Sequence, residues 1–192
     1  MKVGVLALQG AFLEHQKILE SLAVDSPQVR LPGDLSGLDG LIIPGGESTT
    51  IGKLAVDFDL MDPLRSFAMN HAVWGTCAGS IFLSKDASRS QPLLEIMDIQ
   101  VDRNAFGRQV DSFEIDLDIP ALAKVSKINP PFHAIFIRAP LIESVTGRAE
   151  VLAELPNGQI VAAKQGKWLA TSFHPELTPD DRFHRYFLEM IR

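Results

Sequence analysis

The sequence is poor in cysteine, in positive charge and in long apolar runs, and each shortage excludes a class of protein. Its single cysteine, Cys77, cannot form an internal disulfide or a zinc site of several cysteines, so a reducing cytoplasm is the expected compartment. A net charge of −6 argues against a nucleic-acid-binding surface. The N-terminal apolar run, residues 3–8, is too short for a secretion signal or a membrane span. We therefore expect a cytoplasmic protein that binds neither nucleic acid nor membrane.

Apolar, strand-like stretches alternate with stretches of helical periodicity in the first half of the chain. The strand-like stretches are residues 3–8, 28–31, 38–44 and 72–74, and the helical ones are residues 11–23 and 59–70. This alternation predicts a parallel sheet with helices on both faces. Residues 151–173 instead predict a meander with two hairpin turns, which makes the sheet mixed. The expected fold is a single three-layer α/β domain over residues 1–192, which buries about 70% of the unfolded chain's surface.

The remaining segments predict further strands, a rigid loop and a C-terminal helix. The strands are expected at residues 96–101, 110–117 and 134–137. Residues 129–131, Asn-Pro-Pro, predict a rigid loop, and His133 is interpreted as a loop histidine. Thr178 and Pro179 predict a helix start, as cap and first-turn proline. A core-facing stripe then follows at Phe183, Tyr186, Phe187 and Met190.

Residues 74–80, Trp-Gly-Thr-Cys-Ala-Gly-Ser, have the pattern of a nucleophile elbow, in which a strand turns tightly into a helix. The glycines at positions 75 and 79 allow the backbone to crowd the central residue. A thiol at the head of a helix is favoured as thiolate by the free N–H groups and the helix dipole. The alternative is a buried structural cysteine in an ordinary turn, and the elbow alone does not separate the two.

His174 and Glu176 are the expected partners of Cys77, because they follow an apolar strand at the edge of the sheet where ligand sites usually form. In extended backbone, residues two apart point to the same side, so Glu176 can hold one ring nitrogen while the other faces a thiol. The alternative is a solvated pair before a helix. The order Cys, His, Glu along the chain favours a glutamine-amidotransferase-like site over an ester hydrolase.

The loop at Gly45 and Gly46 is the candidate second half of an oxyanion hole. Attack of a thiolate on an amide creates an oxyanion, and each N–H donor that binds it is worth about 3–4 kcal/mol. The amide of Ala78, directly after the nucleophile, is one expected donor, and that of Gly46 is the other. An ordinary tight turn is the alternative for the two glycines.

Seven segments together resemble the glutaminase subunit of pyridoxal 5′-phosphate synthase, a family of class I, triad-type glutamine amidotransferases. They are residues 6–10 (Leu-Ala-Leu-Gln-Gly), 44–50 (Pro-Gly-Gly-Glu-Ser-Thr-Thr), 75–79 (Gly-Thr-Cys-Ala-Gly), 103–113 (Arg-Asn-Ala-Phe-Gly-Arg-Gln-Val-Asp-Ser-Phe), 136–140 (Phe-Ile-Arg-Ala-Pro), 161–165 (Val-Ala-Ala-Lys-Gln) and 172–178 (Ser-Phe-His-Pro-Glu-Leu-Thr). The elbow and the His-Pro-Glu run are shared by the whole class. Residues 103–109 and 136–140 are specific to the vitamin B6 branch. The resemblance implies a flavodoxin-like fold with a mixed, mostly parallel sheet.

The resemblance also implies roles for individual residues. Cys77 is the expected nucleophile, His174 the general base and acid, and Glu176 its orienter. The residues that match the family's glutamine contacts are Gly46, Glu47, Ser48, Arg103, Ile137 and Arg138. Physically, an arginine can pair with the substrate carboxylate and an acid such as Glu47 with its ammonium; for the arginines, a surface ion pair is the alternative. Gln9 and Gly10 match a stretch near the family's partner interface.

The expected reaction is the hydrolysis of L-glutamine to glutamate and ammonia without a metal or organic cofactor. The resemblance implies a (β/α)8-barrel synthase partner, which takes up the ammonia within a complex of twelve copies of each subunit. Two rival interpretations are a glutaminase for another synthase, such as that of histidine biosynthesis, and a non-catalytic docking subunit. A general cysteine peptidase suits the arginine and glutamate candidates less well. The histidines at positions 15, 71 and 184 are interpreted as structural or solvated.

Overall fold

A computed structural model describes residues 1–88, 90–102 and 112–192 of the chain. Its strands are β1 (Val3–Leu6), β2 (Gln28–Val29), β3 (Gly40–Ile43), β4 (Ala72–Thr76), β5 (Ser84–Asp86), β6 (Met97–Asp102), β7 (Ser112–Leu117), β8 (Phe132–Ile137), β9 (Leu141–Val145), β10 (Glu150–Glu154), β11 (Ile160–Gln165) and β12 (Trp168–Thr171). Its α-helices are α1 (Phe12–Ser21), α2 (Ser48–Asp57), α3 (Met61–Asn70), α4 (Ala78–Leu83) and α5 (Arg182–Ile191). Within the described ranges, no helix has the length and apolar character needed to cross a membrane.

A ten-stranded sheet runs in the order β2-β1-β3-β4-β12-β11-β9-β6-β5, with β10 paired to β11. The strands from β2 to β12 are parallel and follow the doubly wound order of flavodoxin-like folds. The strands β10, β11 and β12 form the antiparallel meander expected from the sequence. A mixed sheet is therefore confirmed, while β7 and β8 pair separately as an antiparallel hairpin.

Two apolar cores lie on opposite faces of the sheet, because β1, β3 and β4 are buried at every residue and side chains alternate along them. One core joins Leu41 and Val73 to the helices α2, α3 and α4. The other joins Ile42 and Trp74 to α1, α5 and the β7–β8 hairpin. This arrangement confirms the three-layer prediction.

The registers of β3, β4 and β12 bring three loops together at one edge of the sheet. Ile43 pairs with Gly75, and Thr76 pairs with Thr171. Because these strands are parallel, the segments that follow them leave the sheet at the same edge. The candidate site is formed by these segments.

The predicted start of the last helix is wrong. The helix begins at Arg182, with Asp181 at its N-cap, rather than at Thr178. Thr178 Oγ1 accepts a hydrogen bond of 3.2 Å from the Asp180 N–H, so its side chain stabilises a turn before the helix. The apolar stripe on α5 is confirmed, since Phe183, Tyr186 and Phe187 are buried.

The prediction that His133 lies in a loop is also wrong. It belongs to β8, where it pairs with Asp116 across the hairpin. Its ring contacts Asp116 and Glu114, with Nδ1–Oδ1 and Nε2–Oε2 distances of 2.7 and 3.0 Å. Those two side-chain hydrogen bonds raise the pKa of His133 above its ordinary value. The strand begins directly after the double proline because Phe132 is buried opposite Leu117.

Candidate active site

Cys77 occupies a strained turn between β4 and α4. Its φ of 47° and ψ of −110° lie outside the regions that L-residues prefer, as in a nucleophile elbow. Its N–H donates to the Thr171 carbonyl at 2.8 Å, which ties the elbow to the end of β12. A Cβ at Gly75 would lie 2.4 Å from the Gly79 oxygen, and one at Gly79 would lie 2.0 Å from the Ile43 oxygen. The tight turn therefore requires both glycines.

The side chain of His174 lies between Cys77 and Glu176. Its Nδ1 is 2.7 Å from Oε1 of Glu176, and its ring also forms a hydrogen bond with the Cys77 side chain. The bond to Glu176 occupies Nδ1 and leaves Nε2 for the sulfur. A Cβ at Gly45 would lie 2.6 Å from Cε1 of His174 and 3.1 Å from Cβ of Cys77. Gly45 thus allows the loop at Gly45 and Gly46 to pack directly against both side chains.

The protonated form of His174 is strongly favoured. Burial opposes the charge, but the hydrogen bonds to Cys77 and Glu176 outweigh it and raise the pKa of His174 to about 10. A protonated imidazole beside the candidate nucleophile is arranged to deliver a proton to a leaving group.

The prediction of extended backbone between His174 and Glu176 is wrong, although the two side chains do lie side by side. His174 has φ −106° and ψ 84° and precedes a 3₁₀ turn at Pro175–Leu177, so the backbone is not an extended strand. The His174 N–H donates to the Ile135 carbonyl of β8 at 2.8 Å. The turn, held by β8, directs both side chains to the same side.

The loop that carries Gly46 is anchored by residues 9–11. The Gly45 carbonyl accepts from the Ala11 N–H at 3.0 Å, and Gln9 Oε1 accepts from the Glu47 N–H at 2.7 Å. Gly10 has a φ of +100°, and a Cβ there would lie 1.8 Å from the Gly45 oxygen. The conformation of the loop is thus coupled to Gln9 and Gly10.

Glu47 caps helix α2. Its carboxylate accepts from the N–H groups of Thr49 and Thr50 at 3.2 and 2.7 Å and from Oγ1 of Thr50 at 2.7 Å. Ser48 is buried at the start of the same helix, with its Oγ 3.4 Å from Oε1 of Gln91. Such capping fixes the loop on its C-terminal side.

The other predicted site residues lie at three places. Ala78 is buried as the first residue of α4, directly after the nucleophile candidate. Ile137 and Arg138 are exposed where β8 ends, and Arg138 has a positive φ of 44°. Arg103 lies outside the described residues. Among the residues that the structure does describe, no group of three histidine, cysteine or acidic side chains could hold a metal ion.

Two histidines lie behind the site, and sequence patterns left open whether they are structural or solvated. His15 on α1 and His184 on α5 are both fully buried. The Nε2 of His15 is 3.4 Å from Oε2 of Glu176. The sequence did indicate that His15 is buried, since it precedes the buried Leu19 by one helical turn and lies on the same face of α1.

Comparison with known proteins gives concordant matches over the whole chain. The SNO glutamine amidotransferase family matches residues 5–192. A relative from Herpetosiphon aurantiacus is 57% identical over 98% of this chain and 99% of its own, and one from Moorella thermoacetica is 55% identical over 100% of both. Both relatives are named pyridoxal 5′-phosphate synthase subunit PdxT.

Solved structures agree with this match. A crystal structure of a glutamine amidotransferase superposes with a TM-score of 0.91 at 49% identity over 98% of each chain. The structure of PurLQS from Thermotoga maritima has a TM-score of 0.72 at 12% identity over 100% of this chain and 99% of its own. The second match concerns the fold alone. The fold expected from the sequence, that of a class I glutamine amidotransferase, is confirmed.

Proposed function

The chain belongs to the SNO glutamine amidotransferase family, and we propose that it is the glutaminase subunit of a pyridoxal 5′-phosphate synthase. It hydrolyses L-glutamine to L-glutamate and supplies the ammonia for vitamin B6 biosynthesis in the cytoplasm. Residues 1–192 form one glutaminase domain. The observation that carries the proposal is the convergence of Cys77, His174 and Glu176 in one cleft.

The proposed reaction proceeds through a thioester. The Cys77 thiolate attacks the side-chain amide carbon, and the carbonyl electron pair moves to oxygen to form an oxyanion. His174 protonates the amide nitrogen, the C–N bond breaks, and ammonia leaves a glutamyl thioester. A water that loses its proton to His174 then attacks the thioester, which releases glutamate and restores the thiolate. Glu176 orients His174 and stabilises its charged form throughout.

The amides of Gly46 and Ala78 are the proposed oxyanion donors. Ala78 is fixed by the start of α4, whereas Gly46 is exposed on a loop whose neighbours are Gln9 and Gly10. A partner that contacts Gln9 and Gly10 can therefore change the direction of the Gly46 amide. We expect weak activity of the isolated subunit for this reason.

Substrate contacts are proposed around the same loop and at the end of β8. The residues are Gly46, Glu47, Ser48, Arg103, Ile137 and Arg138. One arginine pairs with the α-carboxylate of glutamine, and Glu47 binds its ammonium group. The Glu47 carboxylate already accepts backbone N–H bonds from α2, which fixes its orientation beside the loop.

The proposed partner is a (β/α)8-barrel synthase subunit, in a complex of twelve copies of each chain. Ammonia released into bulk water would be protonated, so direct transfer to the partner preserves it as a nucleophile. Gln9 and Gly10 are the interface candidates, because they pack against the loop that carries Gly46, with Gly10 exposed and Gln9 half-buried.

The experiment that tests the proposal measures glutamate release from glutamine by the wild type and by Cys77→Ala, with and without the synthase subunit. We expect a large rise on addition of the synthase for the wild type and no release by Cys77→Ala. Equal turnover with and without synthase would overturn the coupling. Failure of a glutamine-analogue electrophile to label Cys77 in the complex would overturn the catalytic role and favour a docking subunit.

A further inference from the structure

A row of buried side chains runs from Glu176 away from the cleft. The Nε2 of His15 lies 3.4 Å from Oε2 of Glu176 and 3.2 Å from Oγ1 of Thr76. The Nδ1 of His15 lies 2.9 Å from Nε2 of His184. The side chains of Glu176, His15 and His184 are fully buried, so bulk solvent does not reach these contacts.

The contacts select one pair of tautomers. The Nδ1 of His184 has no hydrogen-bond partner among the described residues, so a proton there would be buried without an acceptor. The proton of His184 therefore belongs on Nε2, from which it is donated to Nδ1 of His15. The His15 proton is then on Nε2, directed at Thr76 and Glu176. The reverse arrangement would place a nitrogen lone pair against the carboxylate.

Both histidines remain neutral at physiological pH. Burial, followed by the proximity of His184 and His174, lowers the pKa of His15 well below its ordinary value. Burial lowers the pKa of His184 to about 3. The ring of Trp74 also packs here, with centroid distances of 5.6 Å to His15 and 5.0 Å to His184. A neutral donor binds the carboxylate without cancelling the negative charge that His174 requires.

Glu176 Oε2 needs such a donor. Its other oxygen is bound to His174, and Oε2 has no hydrogen bond of ordinary geometry among the described residues. A carboxylate with one oxygen held and the other free can rotate about its terminal bond, which would weaken the contact to His174. The imidazole of His15 is the group that faces the free oxygen.

We propose that His15 is a positioning residue for the glutaminase reaction: its Nε2–H retains Oε2 of Glu176 so that Oε1 stays on His174. His184 sets the tautomer of His15 from behind. This inference rests on the proposed function and adds two residues: His15 on α1, which faces the Glu176 carboxylate, and His184 on α5, which contacts His15.

The first test compares His15→Leu with His15→Gln in the complex with the synthase subunit. Leucine removes the donor, whereas the glutamine amide can present an N–H near the position of Nε2. We expect His15→Leu to lower kcat for glutamine hydrolysis about tenfold with little change in KM, and His15→Gln to recover most of the loss. His133→Gln removes an exposed histidine and serves as the control, with unchanged kcat.

The second measurement is independent of turnover. Nitrogen-15 NMR of the full chain should show His15 and His184 as neutral Nε2–H tautomers. In His15→Leu, the titration midpoint of His174 should fall by about one pH unit, because the contact between His174 and Glu176 weakens. In His15→Gln the midpoint should stay close to that of the wild type.

The outcomes separate the inference from the proposed function. Wild-type kcat in His15→Leu, equal losses in the leucine and glutamine variants, or an Nδ1–H tautomer of His15 would each overturn the positioning role. Thermal unfolding of each variant shows whether a loss of kcat comes from misfolding. If it does, the tautomer of His15 in the wild type, measured by NMR, still tests the positioning role. If the wild-type complex releases no glutamate, the proposed function fails, while the NMR result is still obtained.

Discussion

Nδ1 of His174 and Oε1 of Glu176 are 2.7 Å apart, and the carboxylate that makes this contact is fully buried. A buried carboxylate is stable only where partners compensate for its lost hydration. Here an imidazole lies on each side of it, His174 at one oxygen and His15 near the other. The contact therefore couples the chemistry of the cleft to the packing of α1 and α5.

Replacing Glu176 by glutamine should separate the charge of this residue from its shape. We expect kcat for glutamine hydrolysis in the synthase complex to fall by about 10²- to 10⁴-fold, because the charged form of His174 loses its stabilising carboxylate. The measurement is glutamate release at saturating glutamine. Glu189→Gln, on the exposed side of α5, is the matched control. A kcat within twofold of the wild type for Glu176→Gln would contradict the prediction.

Removing the thiol should lower the pKa of His174. Burial opposes its protonation, and the hydrogen bonds to Cys77 and Glu176 together raise its pKa to about 10. In Cys77→Ala one of these two partners is lost while burial persists, so the pKa must move down. NMR titration of the His174 ring in both proteins measures the change. An unchanged midpoint near 10 would show that the Cys77 side chain does not raise the pKa of the ring.

Acid should destabilise the fold through the buried histidines. The pKa of His184 is lowered to about 3, whereas in the unfolded chain it is about 6.5. Between these values the unfolded state binds a proton that the native state excludes, so the free energy of unfolding falls as the pH falls. The slope is at most about 1.4 kcal/mol per pH unit for each such histidine.

Urea denaturation of the wild type and His184→Phe at several pH values between about 4.5 and 7.5 tests this slope. The variant should lose less stability on acidification than the wild type. His71→Gln, outside the buried cluster, is the control and should keep the wild-type slope. Parallel curves for the wild type and His184→Phe would refute the assignment.

Adding a methyl group at Gly79 should destabilise the elbow. Its Cβ would lie 2.0 Å from the backbone oxygen of Ile43, so the clash cannot be relieved by rotating a side chain. We expect Gly79→Ala to lower the free energy of unfolding by about 2 kcal/mol or more. Gly33→Ala is the control, because no heavy atom lies within 4 Å of its Cβ, and its effect should stay within about 0.5 kcal/mol. Equal stabilities for the two variants would contradict the crowding.

Arg182 should be far more important for stability than Arg185, its neighbour on α5. Arg182 is buried and donates to Oδ1 of Asn129 and the carbonyl of Pro130 at 2.7 and 2.8 Å, which attaches the double-proline loop to the helix. Arg182→Leu should lower the free energy of unfolding by about 3 kcal/mol, because Asp180 and the loop oxygens lose a buried partner. Arg185→Leu removes an exposed ion pair and should cost at most about 1 kcal/mol. Urea denaturation of both leucine variants measures the difference.

Much of the fold followed from local patterns. The apolar runs at residues 3–8 and 38–44 became β1 and β3, and the stripe on α5 became buried. These predictions succeed because a strand or helix buried on one or both faces repeats its apolar residues at short, regular intervals, which are visible within a single segment. The start of α5 and the place of His133 were predicted wrongly, because a side-chain turn at Thr178 and the pairing of Phe132 with Leu117 decided them.

The residue types available to the site can be read directly along the chain: one cysteine between two glycines, a histidine two residues before a glutamate, and a Gly-Gly loop after a strand. That these residues meet depends on the folded sheet, through the parallel register that pairs Thr76 with Thr171 and the 3₁₀ turn after His174. It also placed His15 and His184 behind the carboxylate. Distance along the chain explains the difference: hydrophobic periodicity reports the environment of one segment, while contacts between remote segments depend on how the whole sheet is ordered.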